Sequence, residues 1–86
     1  MGESDPDLRE IGFNNEVQQG PRSLHVQTEV VIRGQTILRT TVLHRGAIVH
    51  VSSYPFDLKR PLEECRRIAR TFHERIVDRV ASGEIS

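Results

Sequence analysis

The stretch from Leu24 to Phe56, LHVQTEVVIRGQTILRTTVLHRGAIVHVSSYPF, decides the fold. Apolar and polar residues alternate along it, which is the period of a β-strand. Arg33-Gly34 and Arg45-Gly46 interrupt the alternation, and tight hairpins favour glycine because their central residues need positive φ. The spacing predicts strands over 24–32, 36–44 and 47–54, ended by Pro55. Upstream, Ile11, Phe13 and Val17 share one side of a further strand over 11–18, and Gly20-Pro21 makes a turn into Leu24.

Downstream the period changes. Leu62, Cys65, Ala69, Phe72, Ile76 and Val80 recur at intervals of three and four, which predicts an amphipathic helix over 61–82. Pro61 suits the start of a helix, Glu63 and Glu64 the positive end of its dipole, and Arg75 and Arg79 the negative end. Ser82-Gly83 is a stop signal. The expected fold is therefore α+β: a three- to four-stranded antiparallel β-meander with one long C-terminal α-helix packed on one face. It forms a single domain over 11–86, behind an acidic leader, residues 1–10, whose composition predicts disorder.

Valines and leucines fall on both alternating sets of the strands, so the two faces have to be assigned. Facing Leu43 with Ile48 across the Arg45-Gly46 turn predicts one face of Leu24, Val26, Val30, Ile32, Ile37, Leu43, Ile48 and Tyr54. That face is the richer and is expected to take the helix. The second face is expected to hold an apolar patch of Val31, Leu38, Val42, Val49 and Val51, rimmed by His25, Gln27, Glu29 and His44. One helix covers only one face of a sheet. The patch therefore reads either as a protein interface, with a two-fold homodimer its simplest form, or as a surface covered by Ile11, Phe13 and Val17. Edge strands offer a second route to pairing.

Composition narrows the function. The chain has 86 residues, 12 basic and 12 acidic, and no net charge, so bulk electrostatics gives no argument for nucleic acid or membrane. No apolar run approaches the roughly 18 residues of a membrane span. The N-terminus lacks the apolar core of a secretory signal, and Pro6 stands where a myristoylation motif has Ser or Thr. The single cysteine, Cys65, excludes an internal disulfide and fits a reducing compartment, so a cytoplasmic bacterial protein is expected.

No residue set carries a catalytic signature. Cys65 lies on the buried stripe, and His73 is eight residues on, a rise of about 12 Å. Ser52 and Ser53 sit near His50 with no carboxylate to orient the imidazole. No cofactor is expected. His25 and His44, with Glu29 nearby, offer at most an incomplete metal site, because zinc needs three or four converging ligands. Arg66, Arg67, Arg70 and His73 are expected on the exposed helix face, with Lys59 and Arg60 before them, where they could follow phosphates. Glu63, Glu74 and Asp78 dilute that charge, which favours a salt-bridged solvent face. The partner expected first is a protein, or a second copy of the chain.

His25-Val-Gln-Thr-Glu29, the turn His44-Arg-Gly46 and the strand after it resemble a family of small uncharacterised bacterial domains. Its members pair an HVQTE-like strand with hairpins and a C-terminal helix. The resemblance spans roughly residues 14–82. It implies a stand-alone bacterial domain and brings no catalytic residues.

Overall fold

The computed structural model describes residues 11–57 and 59–86. The leader, 1–10, and Leu58 lie outside the described residues. Four strands follow in order, β1 (Gly12–Gln19), β2 (Arg22–Arg33), β3 (Gln35–His44) and β4 (Ala47–Pro55), and then one helix, α1 (Leu62–Ala81). The strands form one antiparallel sheet in the order β1-β2-β3-β4, and α1 packs on β1, β2 and β3.

Two hairpins set the register. Gly34, at φ 77°, stands alone between the paired residues Arg33 and Gln35. Arg45 and Gly46 link His44 to Ala47 with φ values of 55° and 82°, the two left-handed positions of a type I′ turn. An added Cβ at Gly46 meets nothing within 4 Å, so the penalty for a side chain there is conformational. Gly46→Ala is expected to lower the unfolding free energy by about 1–2 kcal/mol. Urea unfolding of the two proteins measures it, and equal midpoints would show that the turn tolerates a Cβ.

The helix-side face of the sheet buries Val17, Leu24, Val26, Leu38 and Val42, the last four at 0 % exposure. Cys65, Ala69, His73, Ile76 and Val80 of α1 are buried. The core falls into two clusters. Val17, Leu24, Val26, Val42, Ile76, Val80 and Ile85 fill the end near the helix C-terminus. Ile11, Leu38, Phe56, Cys65 and Ala69 fill the other. Full burial of each large aliphatic side chain stabilises by about 1.5–3 kcal/mol. Pro61 precedes the first helical residue as its N-cap. At the other end Gln19 Nε2 donates to the carbonyls of Val80 (2.9 Å) and Ile85 (2.6 Å), tying β1 to the helix terminus.

The register corrects the expected faces. Val30 pairs with Leu38, Thr28 with Thr40 and Val26 with Val42. Paired residues share a face, so Leu38 and Val42 lie under the helix rather than on the second face. Ile37 and Leu43 take the reverse position. A β-bulge at Val42/Leu43 supplies the rest: Leu43 pairs with Ile48, but Val42 pairs with His50, leaving Val49 as the extra residue. Val49 packs against the helix-side core, and Ile48 is on the open face. Ile11, Phe13 and Val17 extend the helix-side face through β1 and do not cover the other one.

Candidate interaction surfaces

The open face is divided. Its β3–β4 half carries Ile37 at one end, beside Val31 of β2, and Leu43, Ile48 and Val51 toward the other, with Arg39, Thr41 and Ser53 between them. Ile48 is 65 % exposed and Val51 48 %. Of the five residues expected to form the patch, Val31 and Val51 are on this face, while Leu38, Val42 and Val49 are turned to the core. The β1–β2 half is polar. His25 lies 2.7 Å from Glu16 and 3.0 Å from Asn14. Hydrogen bonds from His25 and Ser23 hold the Glu16 carboxyl below its usual pKa. Between the halves Arg39 donates to Glu29 at 2.8 Å.

The expected His25, His44 and Glu29 group does not converge. His25 stands opposite Leu43, so His44, one residue on, points to the other face of the sheet. His25 is occupied with Glu16 and Asn14, and Glu29 with Arg39. Among the described residues no three His, Cys, Asp or Glu side chains are placed to hold a metal ion.

The basic helix residues are largely engaged. Arg60 pairs with Glu64 and Arg66 with Glu63. Arg70 lies over the Phe13 ring, 5.7 Å from its centroid. Of the residues expected to contact nucleic acid, Lys59 and Arg67 are exposed and in no ion pair among the described residues. His73 is not on that face at all: it is 2 % exposed, inside the core.

A polar belt divides the two core clusters, and only the structure reveals it. Thr40 Oγ1 is 2.7 Å from Thr28 Oγ1, which is 2.6 Å from His73 Nδ1. His73 Nε2 is 2.7 Å from Asn15 Oδ1. Burial lowers the His73 pKa, with Glu74 acting weakly the other way. A neutral ring satisfies the whole chain: Nε2–H donates to Asn15, and Nδ1 accepts from the Thr28 hydroxyl. The belt satisfies the polar groups it buries and so orders the core.

Among the described residues neither Cys65 nor Ser52 belongs to a nucleophile–base–carboxylate triad. Cys65 is 1 % exposed, and its thiol contacts the carbonyls of Arg60 and Asp57. Burial first, then the Asp57 and Glu64 charges, raises its pKa and keeps it protonated. His50 Nε2 lies 2.6 Å from Ser52 Oγ on the helix side of β4, where the bulge at Val49 turns it. The described residues place no carboxylate on its other nitrogen.

One concavity was not expected. Tyr54 and Phe72 approach with ring centroids 5.5 Å apart, and Ile68 extends the apolar wall. Arg67, Thr71 and Arg75 rim this groove of about 280 Å³ between α1 and β4. No known protein family, curated protein or solved structure matches this chain.

Proposed function

We propose that this chain is a non-catalytic protein-interaction module that self-associates through the open face of its sheet. One observation carries the reading: α1 occupies one face, and the other leaves Ile48 and Val51 about half or more exposed beside Val31, Ile37 and Leu43. A two-fold axis would set the Leu43, Ile48 and Val51 ends of the β3–β4 halves of two copies against each other, with the Glu29–Arg39 and Glu16–His25 pairs beside them. Burying what is still exposed of Ile48 and Val51, 65 % and 48 % of each, on both copies contributes about 3–7 kcal/mol in all. Rigid-body association opposes this at a cost of about 4–15 kcal/mol, so the dimer is weak and concentration-dependent. A cytoplasmic, bacterial setting goes with this proposal, resting on the lone reduced Cys65 and the resemblance of the His25–Glu29 strand. Nucleic-acid binding through α1 is the weaker reading, because phosphates would compete with Glu63, Glu64 and the Phe13 ring for the same arginines.

Native mass spectrometry of the untagged protein at several concentrations tests it. A metal-free dimer is expected at tens of micromolar, and Ile48→Asp is expected to give a folded monomer. A wild-type monomer throughout the series, or an Ile48→Asp dimer of unchanged strength, would sink the reading.

A further inference from the structure

We propose that the groove between α1 and β4 binds an extended acidic peptide, laid along the open edge of β4. This site lies on the helix side of the sheet, away from the open face, and stands whether or not the chain dimerises.

Charge selects the ligand. α1 carries five arginines: Arg66, Arg67, Arg70, Arg75 and Arg79. Arg66 and Arg79 pair with Glu63 and Glu84, and Arg70 stacks on Phe13. Arg67 and Arg75 have no ion pair among the described residues, and these two rim the groove. Among the described residues no carboxylate lines it. His50 and Ser52 extend its polar flank along β4. An anionic partner is thus complementary, and a cationic one is repelled.

Spacing selects the conformation. Arg67, Thr71 and Arg75 follow each other at four-residue intervals, a rise of about 6 Å per step along the helix. Alternate side chains of an extended peptide repeat at about 6.6–6.8 Å. Carboxylates at the first and fifth positions of such a peptide therefore reach Arg67 and Arg75. The third side chain comes over Ile68 and Phe72, where an apolar group fits. β4 is an edge strand, and its outer side pairs with no strand among the described residues. Its bulge at Val49 and Pro55 at its end block pairing at both extremities, leaving His50 to Tyr54 as regular strand. That window matches a five-residue ligand adding as a further strand.

The protein supplies its own probe. Tyr54 is the single tyrosine and there is no tryptophan, so tyrosine emission reports on the groove alone. The test ligand is a capped pentapeptide, Glu-Val-Leu-Val-Glu, titrated against the full chain. Saturable quenching of Tyr54 is expected, weakened by added salt. Arg75→Glu and Arg67→Glu, both at exposed positions, are each expected to weaken binding at least tenfold with an unchanged circular dichroism spectrum. Absence of saturable quenching up to millimolar peptide overturns the proposal. So does an equal response to the Lys-Val-Leu-Val-Lys peptide. Equal binding of octanoate also overturns it, since an apolar carboxylate would then suffice without a strand.

Discussion

Leu38→Ala is expected to cost about 2–5 kcal/mol of unfolding free energy, while Ile48→Ala costs less than about 0.5 kcal/mol. Both remove aliphatic atoms from adjacent strands of one sheet. The difference lies in what surrounds them. Leu38 has 0 % exposure and contacts the cluster of Ile11, Phe56, Cys65 and Ala69, so truncation leaves a cavity roofed by α1. Ile48 is 65 % exposed and loses only contacts it shares with water. For a chain of this length the total stability is about 4–13 kcal/mol. The Leu38 variant therefore loses a large share of the total, and the Ile48 variant unfolds like the wild type. Urea titrations at a concentration that keeps the chain monomeric measure both. Equal costs would mean that Leu38 is not under the helix, and the described face assignment would fail.

That pair of residues also shows what the sequence could and could not carry. The strands and the helix were legible, because alternation and the three-four stripe are local signals. The expected helix over 61–82 became Leu62–Ala81, and the strand over 47–54 became Ala47–Pro55. Face assignment was harder because β3 is ambiguous. Its even positions hold Leu38 and Val42, and its odd positions hold Ile37 and Leu43. Hydrophobicity alone does not choose between such sets. The turn does: centred on Gly34 it sets Ile32 opposite Thr36, joining the even residues of β3 to Leu24, Val26 and Val30 of β2. The bulge at Val49 had no local signal at all. It inverts the pairing rule between Ile48 and His50, so Val49 and Val51 end on opposite faces.

The surfaces follow the same division. That one helix leaves a second sheet face without a helix followed from counting, but whether Ile11, Phe13 and Val17 cover it was open, and three of the five residues assigned to it lie on the helix side. The α1–β4 groove was not, because it depends on how far the helix sits toward β1. α1 lies chiefly over β1 and β2, and that lateral placement leaves Tyr54 and Phe72 to form the wall. His73 was misread for a related reason. It falls four residues after Ala69 and three before Ile76, inside the buried stripe, but its polarity argued for solvent. What allows its burial is Thr28 and Asn15, 45 and 58 residues away in the chain. A polar residue on an apolar stripe becomes readable only with its partners on the opposing strands.

His73 should also make the domain acid-sensitive. Its folded pKa is lowered from the ordinary value of about 6.5. The sign follows from linkage: above about pH 6.5 the ring is neutral in both states and contributes no pH dependence. Below it the unfolded chain takes up a proton that the folded chain resists, so stability falls with pH and levels off below the folded pKa. Protonation at Nδ1 also removes the acceptor of the Thr28 hydroxyl, and the Thr40–Thr28 pair must reorient. The groups around the ring, Asn15, Thr28, Thr40 and Phe13, carry no charge to compensate, and Glu74 opposes the shift only in part. His73→Ala is expected to cost about 2–4 kcal/mol at neutral pH, from the cavity and the broken belt. His73→Gln retains a donor and an acceptor without a titrating group. Its stability should fall less between pH 7 and pH 5 than that of the wild type, and subtracting the two urea-derived curves cancels His25, His44 and His50. Parallel curves would mean that His73 titrates alike in the folded and unfolded chains, so burial would impose no cost on its charged form.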